Sequence, residues 1–306
     1  MKIAVLGGAG AMGSLFGGKL AEAGLDVSLV DVFAPAIQAI NQNGLSFTDK
    51  SGATHSIKVK ATTSPAEVGV VDLLIVFVKC YHTEEAVRSA RPMIGAHTAV
   101  LTLQNGWGNV PKISALVGQE KVLAGVTYNS AQPVGLGSVN LTNAGKTFIG
   151  ELSGVHTERL ERIVNAMCQA GLATEASDDV IQAIWSKLAL NASGLAYSAL
   201  LHFTADEGAK HEGTMNLTAA LLREVVDVAN AQGIGLDYAE RWQTISGAMV
   251  KAVGARGSML VDVENKRRTE IDVINGAIVD AGKRLGIPTP YNEAMVWLVQ
   301  SLQETF

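Results

Sequence analysis

A lysine and an asparagine four residues apart are the strongest candidates in the chain for proton-transfer chemistry. Lys187 and Asn191 lie in a segment whose other residues are mostly apolar. Residues four apart share one helix face, and burial among apolar groups lowers the pKa of a lysine toward the range useful for a general acid. Periodicity leaves two interpretations open: a buried acid, or a lysine that reaches solvent along an amphipathic helix.

A second polar cluster lies later in the chain and contains Ser258 and Glu270. Thr269 with Asp272 matches a capping box, which predicts that Glu270 lies in the first turn of a helix spanning residues 269–285. The helix dipole favours a negative charge at that position. Glu270 therefore either only complements the dipole of this helix or belongs to a functional site.

A glycine-rich turn near the start of the chain follows a short apolar strand and precedes a segment with helical spacing. In the pattern Gly-x-Gly-x-x-Gly, the first glycine allows a tight turn, the second lets the backbone approach a phosphate, and the third lets the helix pack on the strand. Unpaired N–H groups at the helix start then face an anion. The pattern predicts a site for a dinucleotide pyrophosphate, formed by Gly8, Gly10, Ala11, Met12 and Gly13.

An acidic residue at the end of the second expected strand bears on the type of dinucleotide. Asp31 comes 18 residues after Gly13 (31 − 13 = 18), close to the spacing of roughly 20 for the carboxylate that binds the adenosine ribose. A 2′-phosphate about 4 Å away would be opposed by about 4 kcal/mol at an effective dielectric of about 20. Asp31 therefore favours NAD(H) over NADP(H). The alternative is that Asp31 only caps the following turn and that Lys79 binds the phosphate.

The pattern of expected elements divides the chain after residue 176. Strands and helices alternate over residues 1–176, which predicts an α/β fold with a doubly wound Rossmann sheet. Residues 138–141 and 146–149 are expected to form an antiparallel pair at the sheet edge. Residues 177–306 show helical spacing throughout. We therefore predict an N-terminal Rossmann dinucleotide-binding domain, followed by an all-helical domain that carries the substrate and catalytic residues.

Composition excludes several classes of protein. The net charge of −5 argues against a nucleic-acid partner. Two cysteines, Cys80 and Cys168, provide no disulfide framework, indicate a reducing compartment, and are expected to be buried thiols. The histidines lack metal-ligand spacing, so no metal is expected. No signal peptide or membrane span is predicted, which favours a cytoplasmic protein without a membrane partner.

Together these motifs resemble those of the 2-dehydropantoate 2-reductase (ketopantoate reductase) family, in the same order and over nearly the whole chain. The resemblance rests on the turn at residues 8–13, Gln104-Asn105-Gly106, Lys187 to Asn191, Ser258-Met-Leu, Thr269-Glu270-Ile-Asp272 and Gly276. It implies a C-terminal domain similar to that of 6-phosphogluconate dehydrogenase, NAD(P)H as cofactor, a 2-oxo acid substrate, a place in pantothenate biosynthesis and a homodimer.

The resemblance also implies roles for individual residues. Lys187 would protonate the carbonyl oxygen as hydride arrives from the nicotinamide, and Glu270 would accept a hydrogen bond from the substrate hydroxyl or orient the reacting groups. Ser258 would bind the substrate carboxylate, while Asn105 and Asn191 would position nicotinamide and keto acid. Hydride addition builds negative charge on oxygen, which a nearby ammonium offsets while it delivers the proton.

Two positions depart from the family pattern. Leu195 stands eight residues after Lys187, where members typically carry an asparagine able to bind a substrate hydroxyl. Asp31 stands where NADPH-using relatives commonly carry a basic residue, although Lys79 matches a lysine on the cofactor side. Both departures fit reduction of other branched or aromatic 2-oxo acids with NADH.

The leading prediction is NAD(P)H-dependent reduction of 2-dehydropantoate, or a related 2-oxo acid, to the (R)-2-hydroxy acid in a cleft between the domains. The nearest alternative is an NAD-dependent dehydrogenase of D-2-hydroxy acids that resembles D-mandelate dehydrogenases. An alternative of another class is a redox sensor that binds the dinucleotide without catalysis. Lys187 argues against the sensor, because a sensor does not need an acid beside the nicotinamide.

Overall fold

The computed structural model of the protein describes residues 1–306, which form two compact units. The first unit contains residues 1–104 and 109–183, and the second contains residues 105–108 and 184–306. The short segment 105–108 therefore groups with the C-terminal half, although it lies within the N-terminal half of the sequence. The domain boundary after residue 176 stays a prediction.

All strands lie in the first unit. They are β1 (Lys2–Leu6), β2 (Asp26–Val30), β3 (Leu45–Thr48), β4 (Thr54–Ile57), β5 (Lys60–Thr62), β6 (Leu73–Val76), β7 (Ala99–Thr102), β8 (Val122–Thr127), β9 (Ser130–Gly135), β10 (Ser138–Asn143), β11 (Thr147–Glu151) and β12 (Thr174–Ala176). The main sheet has the order β12-β11-β8-β7-β6-β1-β2-β5, and only the pairing of β8 with β11 is antiparallel. This topology confirms the predicted Rossmann-like sheet.

Helices accompany the strands of the first unit, and the inner strands are buried on both faces, as in parallel sheets generally. The helices are α1 (Ala11–Glu22), α2 (Ala34–Asn43), α3 (Pro65–Val68), α4 (Thr83–Ser89), α5 (Asn109–Val117) and α6 (Glu158–Gln169). Phe16 and Leu20 of α1 pack with Ile3 and Leu29 in one apolar core. The core therefore fixes the start of α1 against the ends of β1 and β2.

A separate four-stranded sheet, in the order β4-β3-β10-β9, corrects the predicted edge pair. β10 pairs antiparallel with β9, whereas β11 pairs antiparallel with β8 in the main sheet. The predicted pairing of residues 138–141 with 146–149 is therefore wrong. The physical reason is burial: Ile149 of β11 is fully buried in the main core, whereas β9 is largely exposed.

The two cysteines differ in environment. Cys80 is buried, as predicted, but Cys168 is exposed, so the prediction that Cys168 is buried is wrong. Cys168 falls on the solvent side of the amphipathic helix α6, whereas its neighbours Ile163 and Met167 face the core. The thiol of Cys168 donates a hydrogen bond to the carbonyl oxygen of Thr174 at 3.1 Å.

The second unit contains helices and short turns but no strand, which confirms the predicted all-helical half. Its helices are α7 (Val180–Leu201), which enters the unit at Ile184, α8 (Ala205–Ala209), α9 (Glu212–Ala231), α10 (Tyr238–Lys251), α11 (Ser258–Glu264), α12 (Asn275–Leu285) and α13 (Pro290–Gln303). None of the helices in the structure has the length and apolar character that a membrane crossing requires.

Buried polar side chains link four helices of the second unit. Glu224 of α9 accepts hydrogen bonds from two backbone N–H groups at the start of α13 and from Asn292 Nδ2. Asn292 Oδ1 accepts a bond from Asn275 Nδ2, which also donates to the carbonyl oxygen of Ala192 in α7, both at 2.9 Å. Because buried polar groups are costly when unpaired, this network fixes α12 against α7. It thereby also positions the segment before α12, which contains Glu270.

Candidate active site

Lys187 and Asn105 are in direct contact within the second unit. Lys187 Nζ donates a hydrogen bond to Asn105 Oδ1 at 2.8 Å. The lysine side chain is not free in solvent, because its residue is only half-exposed and lies among buried residues of α7. Burial lowers the pKa of Lys187 to about 8, and the negative charge of Glu270 partly offsets this effect. An ammonium with a pKa in this range can donate a proton near neutral pH.

Glu270 is buried, with 7% of its surface exposed. It precedes a 3-10 turn at Ile271–Val273, and α12 begins only at Asn275. The predicted capping box is therefore wrong. Its second member, Asp272, is held by Arg268 at 3.0 Å and Gln300 at 2.9 Å instead of reaching back to Thr269. Glu270 thus does not lie in the first turn of a long helix, and its charge acts on Lys187 instead.

The segment 105–108 is held against the turn that follows Glu270. The backbone N–H of Trp107 donates to the carbonyl oxygen of Val273 at 2.8 Å. Gly106 adopts a φ of +82°, and a Cβ at this position would lie 2.2 Å from the Val273 oxygen. Only glycine allows this approach. The bond from Lys187 to Asn105 and the position of Glu270 therefore depend on the same backbone contact.

Replacing Gly106 with alanine is expected to lower the free energy of unfolding by at least about 2 kcal/mol. The left-handed conformation alone costs a residue with a Cβ about 1–2 kcal/mol, and the clash with Val273 adds to it. The matched control is Gly247→Ala in α10, where the conformation is helical and nothing lies within 4 Å of the added Cβ. In the control, the free energy of unfolding is expected to rise by up to about 1 kcal/mol. Urea unfolding measures both, and equal midpoints would contradict this account.

Asn191 and Ser258 lie on two elements that approach each other. Asn191 follows Lys187 by one turn of α7 and is half-buried, and Leu195 follows by one more turn. A Cβ at Gly257 would lie 2.7 Å from Leu195 Cδ2, so the residue before Ser258 packs against Leu195. Ser258 itself is exposed at the start of α11. The loop that leads to Ser258 therefore lies beside the helix that carries Lys187.

The glycine turn of the first unit fits a dinucleotide. A Cβ at Gly8 would lie 2.7 Å from Leu29 Cβ, and a Cβ at Gly13 would lie 2.1 Å from the carbonyl oxygen of Gly7. Gly10 precedes α1 and no side chain caps the helix start. The first N–H groups of α1 are thus left for another acceptor, as the binding of a pyrophosphate requires.

Asp31 contacts the same turn. Asp31 Oδ2 accepts the backbone N–H of Ala9 at 3.1 Å, and Oδ1 accepts that of Phe33 at 3.0 Å. The bond to Phe33 is the turn cap considered in the sequence, and the bond to Ala9 brings the carboxylate beside the glycine turn. Asp31 remains half-exposed, so it can also accept a hydrogen bond from a ligand.

Lys79 directly follows two residues whose backbone packs against the glycine turn. A Cβ at Gly7 would lie 2.9 Å from the backbone of both Phe77 and Val78. Lys79 follows directly, is half-buried and begins the 3-10 turn Cys80–His82. Lys79 thus follows β6, the strand that pairs with β1, by three residues, and its backbone is near the glycine turn.

Sequence comparison identifies the family over most of the chain. Residues 3–154 match the family described as ketopantoate reductase PanE/ApbA, and residues 179–303 match its C-terminal domain. The 2-dehydropantoate 2-reductase of Pyrococcus horikoshii is 33% identical over 306 residues, which cover 100% of this chain and 98% of that protein.

Solved structures show the same similarity in three dimensions. The ternary structure of D-mandelate dehydrogenase with NADH and anilino(oxo)acetate has a TM-score of 0.94 at 30% identity, covering 100% of this chain and 99% of that one. The PanE/ApbA family ketopantoate reductase from Ralstonia eutropha JMP134 has a TM-score of 0.90 at 31% identity, with the same coverage. This chain therefore belongs to the ketopantoate reductase PanE/ApbA family of NAD(P)-dependent oxidoreductases.

Proposed function

We propose that the protein reduces a 2-oxo acid to the (R)-2-hydroxy acid, with Lys187 as the general acid. The observation that carries this proposal is the half-buried Lys187, with its amine bonded to Asn105, its charge opposite Glu270 and its pKa lowered to about 8. The glycine turn that would hold the dinucleotide belongs to the first unit, and Lys187 belongs to the second.

The proton chemistry follows from the charge that develops on the substrate. When bound, a reduced dinucleotide would supply the hydride. As the carbonyl carbon is reduced, negative charge grows on its oxygen, and Lys187 donates a proton there to give the hydroxyl group. Asn105 holds the amine in one orientation, and Glu270 favours its charged form. Lys187 then regains a proton from solvent, so atoms and charge balance over one turnover.

Cofactor binding is assigned to residues of the first unit. Gly8, Gly10 and Gly13, with the N–H groups of Ala11 and Met12, would hold the pyrophosphate, and Asp31 would accept a hydrogen bond from the adenosine ribose. The position of the Asp31 carboxylate beside the glycine turn supports NADH over NADPH. Lys79 would also contact the cofactor, and Asn105 would contact its nicotinamide ring.

Two observations bear on the substrate and favour different members of the family. The curated relatives named 2-dehydropantoate 2-reductase support ketopantoate. Leu195 instead supports a 2-oxo acid with an apolar branch, because it offers no hydrogen bond to a substrate hydroxyl and packs beside the Ser258 loop. The similarity to D-mandelate dehydrogenase agrees with Leu195. Asn191 and Ser258 would bind the 2-oxo and carboxylate groups common to both classes.

Steady-state rates with ketopantoate, 2-oxoisovalerate and benzoylformate, each with NADH and NADPH, test the proposal. We expect turnover of at least one acid and a higher kcat/KM with NADH. Asp31→Ala is expected to reduce the preference for NADH at least tenfold, since removal of the opposing carboxylate relieves about 1.4 kcal/mol or more for a 2′-phosphate. A wild-type preference for NADPH would refute the role of Asp31, and absence of turnover with all three acids would refute the substrate class.

A further inference from the structure

The loop that leads to Ser258 is exposed and has few apolar contacts. It spans residues 252–257 between α10 and α11. Val253 is 80% exposed, and Gly254 has a φ of +68° with no atom within 4 Å of a Cβ position. Loops with little buried apolar surface open at low free-energy cost. The order of this loop therefore depends on a small number of specific bonds.

Asp206, in the short helix α8, provides one of these bonds. Its Oδ1 accepts the backbone N–H of Gly254 at 2.9 Å and the hydroxyl of Thr204 at 2.8 Å. Its Oδ2 accepts Lys210 Nζ at 2.9 Å. The bonds from Lys210, Gly254 and Thr204 hold the pKa of Asp206 well below its usual range, so the carboxylate is charged at neutral pH.

Three further contacts surround this bond. The backbone N–H of Ala205 donates to the carbonyl oxygen of Ala255 at 3.1 Å. Arg256 forms an ion pair with Glu264 of α11. The packing of Gly257 against Leu195, described above, closes the loop on its other side. Of these anchors, Asp206 is the only side chain of α8 that bonds the loop, and 9% of its surface is exposed.

We propose that Asp206 is a positioning residue for substrate binding, which orders the loop 252–257 through Gly254 and thereby places the Ser258 hydroxyl for the substrate carboxylate. The inference rests on the proposed function, because it takes the contact between Ser258 and the carboxylate from it. Loss of the bond lets the loop sample more conformations, so fewer molecules hold Ser258 ready at any moment. Lys187 lies on another helix, and its chemistry is unchanged once substrate is bound.

Steady-state kinetics with 2-oxoisovalerate at saturating NADH separate positioning from general stability. Asp206→Ala is expected to raise KM about tenfold, the equivalent of one hydrogen bond to a charged group, with kcat within about threefold of wild type. Asp206→Asn retains an oxygen that accepts the Gly254 N–H and is expected to stay within about threefold in KM. Lys210→Met removes only the ion pair and is expected to leave KM within about twofold.

Proteolysis gives a readout that does not depend on turnover. The bond after Arg256 lies in the exposed loop, so trypsin is expected to cleave it faster in Asp206→Ala than in wild type. In the wild-type enzyme, 2-oxoisovalerate is expected to slow this cleavage, which tests the loop even where Asp206→Ala fails to fold.

The outcomes distinguish this inference from the proposed function. A raised KM in Ser258→Ala with an unchanged KM in Asp206→Ala overturns the inference alone. An unchanged KM in Ser258→Ala overturns the carboxylate contact of the proposed function, and the inference with it. Equal rises in KM for Asp206→Asn, Lys210→Met and Asp206→Ala would mean that Asp206 only stabilises α8. The same conclusion would follow if 2-oxoisovalerate did not slow cleavage of the wild-type enzyme by trypsin.

Discussion

Replacing Lys187 with methionine is expected to lower kcat for 2-oxo acid reduction by about 10²- to 10⁴-fold, the usual contribution of a positioned general acid. Methionine keeps much of the apolar stem that packs in α7 but has no proton to deliver. The substitution also removes the hydrogen bond that Lys187 Nζ donates to Asn105 Oδ1 at 2.8 Å. The glycine turn and Asp31 are unchanged, so the dissociation constant of NADH, measured by calorimetry, is expected to stay close to wild type.

Lys283→Met provides the matched control for this substitution. Lys283 lies on α12 of the same unit, is exposed and pairs with Glu293 at 2.7 Å. Its loss removes the same charge from the protein without touching Lys187, and we expect wild-type kcat. Turnover of Lys187→Met within about tenfold of wild type would show that another group supplies the proton. A large loss in the control would point to net charge instead of proton donation.

Local patterns were enough to single out the glycine turn as a candidate cofactor site and Lys187 as a candidate general acid. One close contact of the glycine turn is local: a Cβ at Gly13 would meet the carbonyl oxygen of Gly7, six residues earlier. Lys187 and Asn191 could be placed on one face because a helix fixes neighbours by spacing alone. Whether the amine of Lys187 is buried or exposed required tertiary structure, since periodicity allowed both.

Long-range contacts account for what the sequence did not reveal. The segment 105–108 joins the second unit through the bond from Trp107 to Val273, which are 166 residues apart (273 − 107 = 166). The acceptor of this bond, the carbonyl oxygen of Val273, lies in the turn after Glu270. The sequence predicted a continuous helix there. The sequence did not indicate that Asp206 contacts the loop 252–257, because an acidic residue in the first turn of a helix is common. Its contact with Gly254 crosses 48 residues.

Glu270→Gln is expected to lower kcat/KM for the reduction of ketopantoate about 50-fold at pH 8, the second large effect. The negative charge of Glu270 raises the pKa of Lys187 against the effect of burial, and the net value is about 8. Removing that charge lowers the pKa further. If the pKa falls to about 7, about a tenth of the lysine is protonated at pH 8 instead of about half, a loss of about fivefold. With ketopantoate, loss of a charged acceptor for the substrate hydroxyl is expected to cost a further factor of about ten.

The pH dependence separates these two contributions. In wild type, the rate of reduction is expected to be constant at low pH and to fall above about pH 8, as Lys187 loses its proton. In Glu270→Gln this decline is expected to begin at a lower pH. The control Asp272→Asn removes a carboxylate two residues away that is bonded to Arg268 and Gln300, and should leave the profile unchanged. A decline at the same or a higher pH in Glu270→Gln would mean that Glu270 does not act on the amine of Lys187. The reduced rate would then have to come from substrate binding alone.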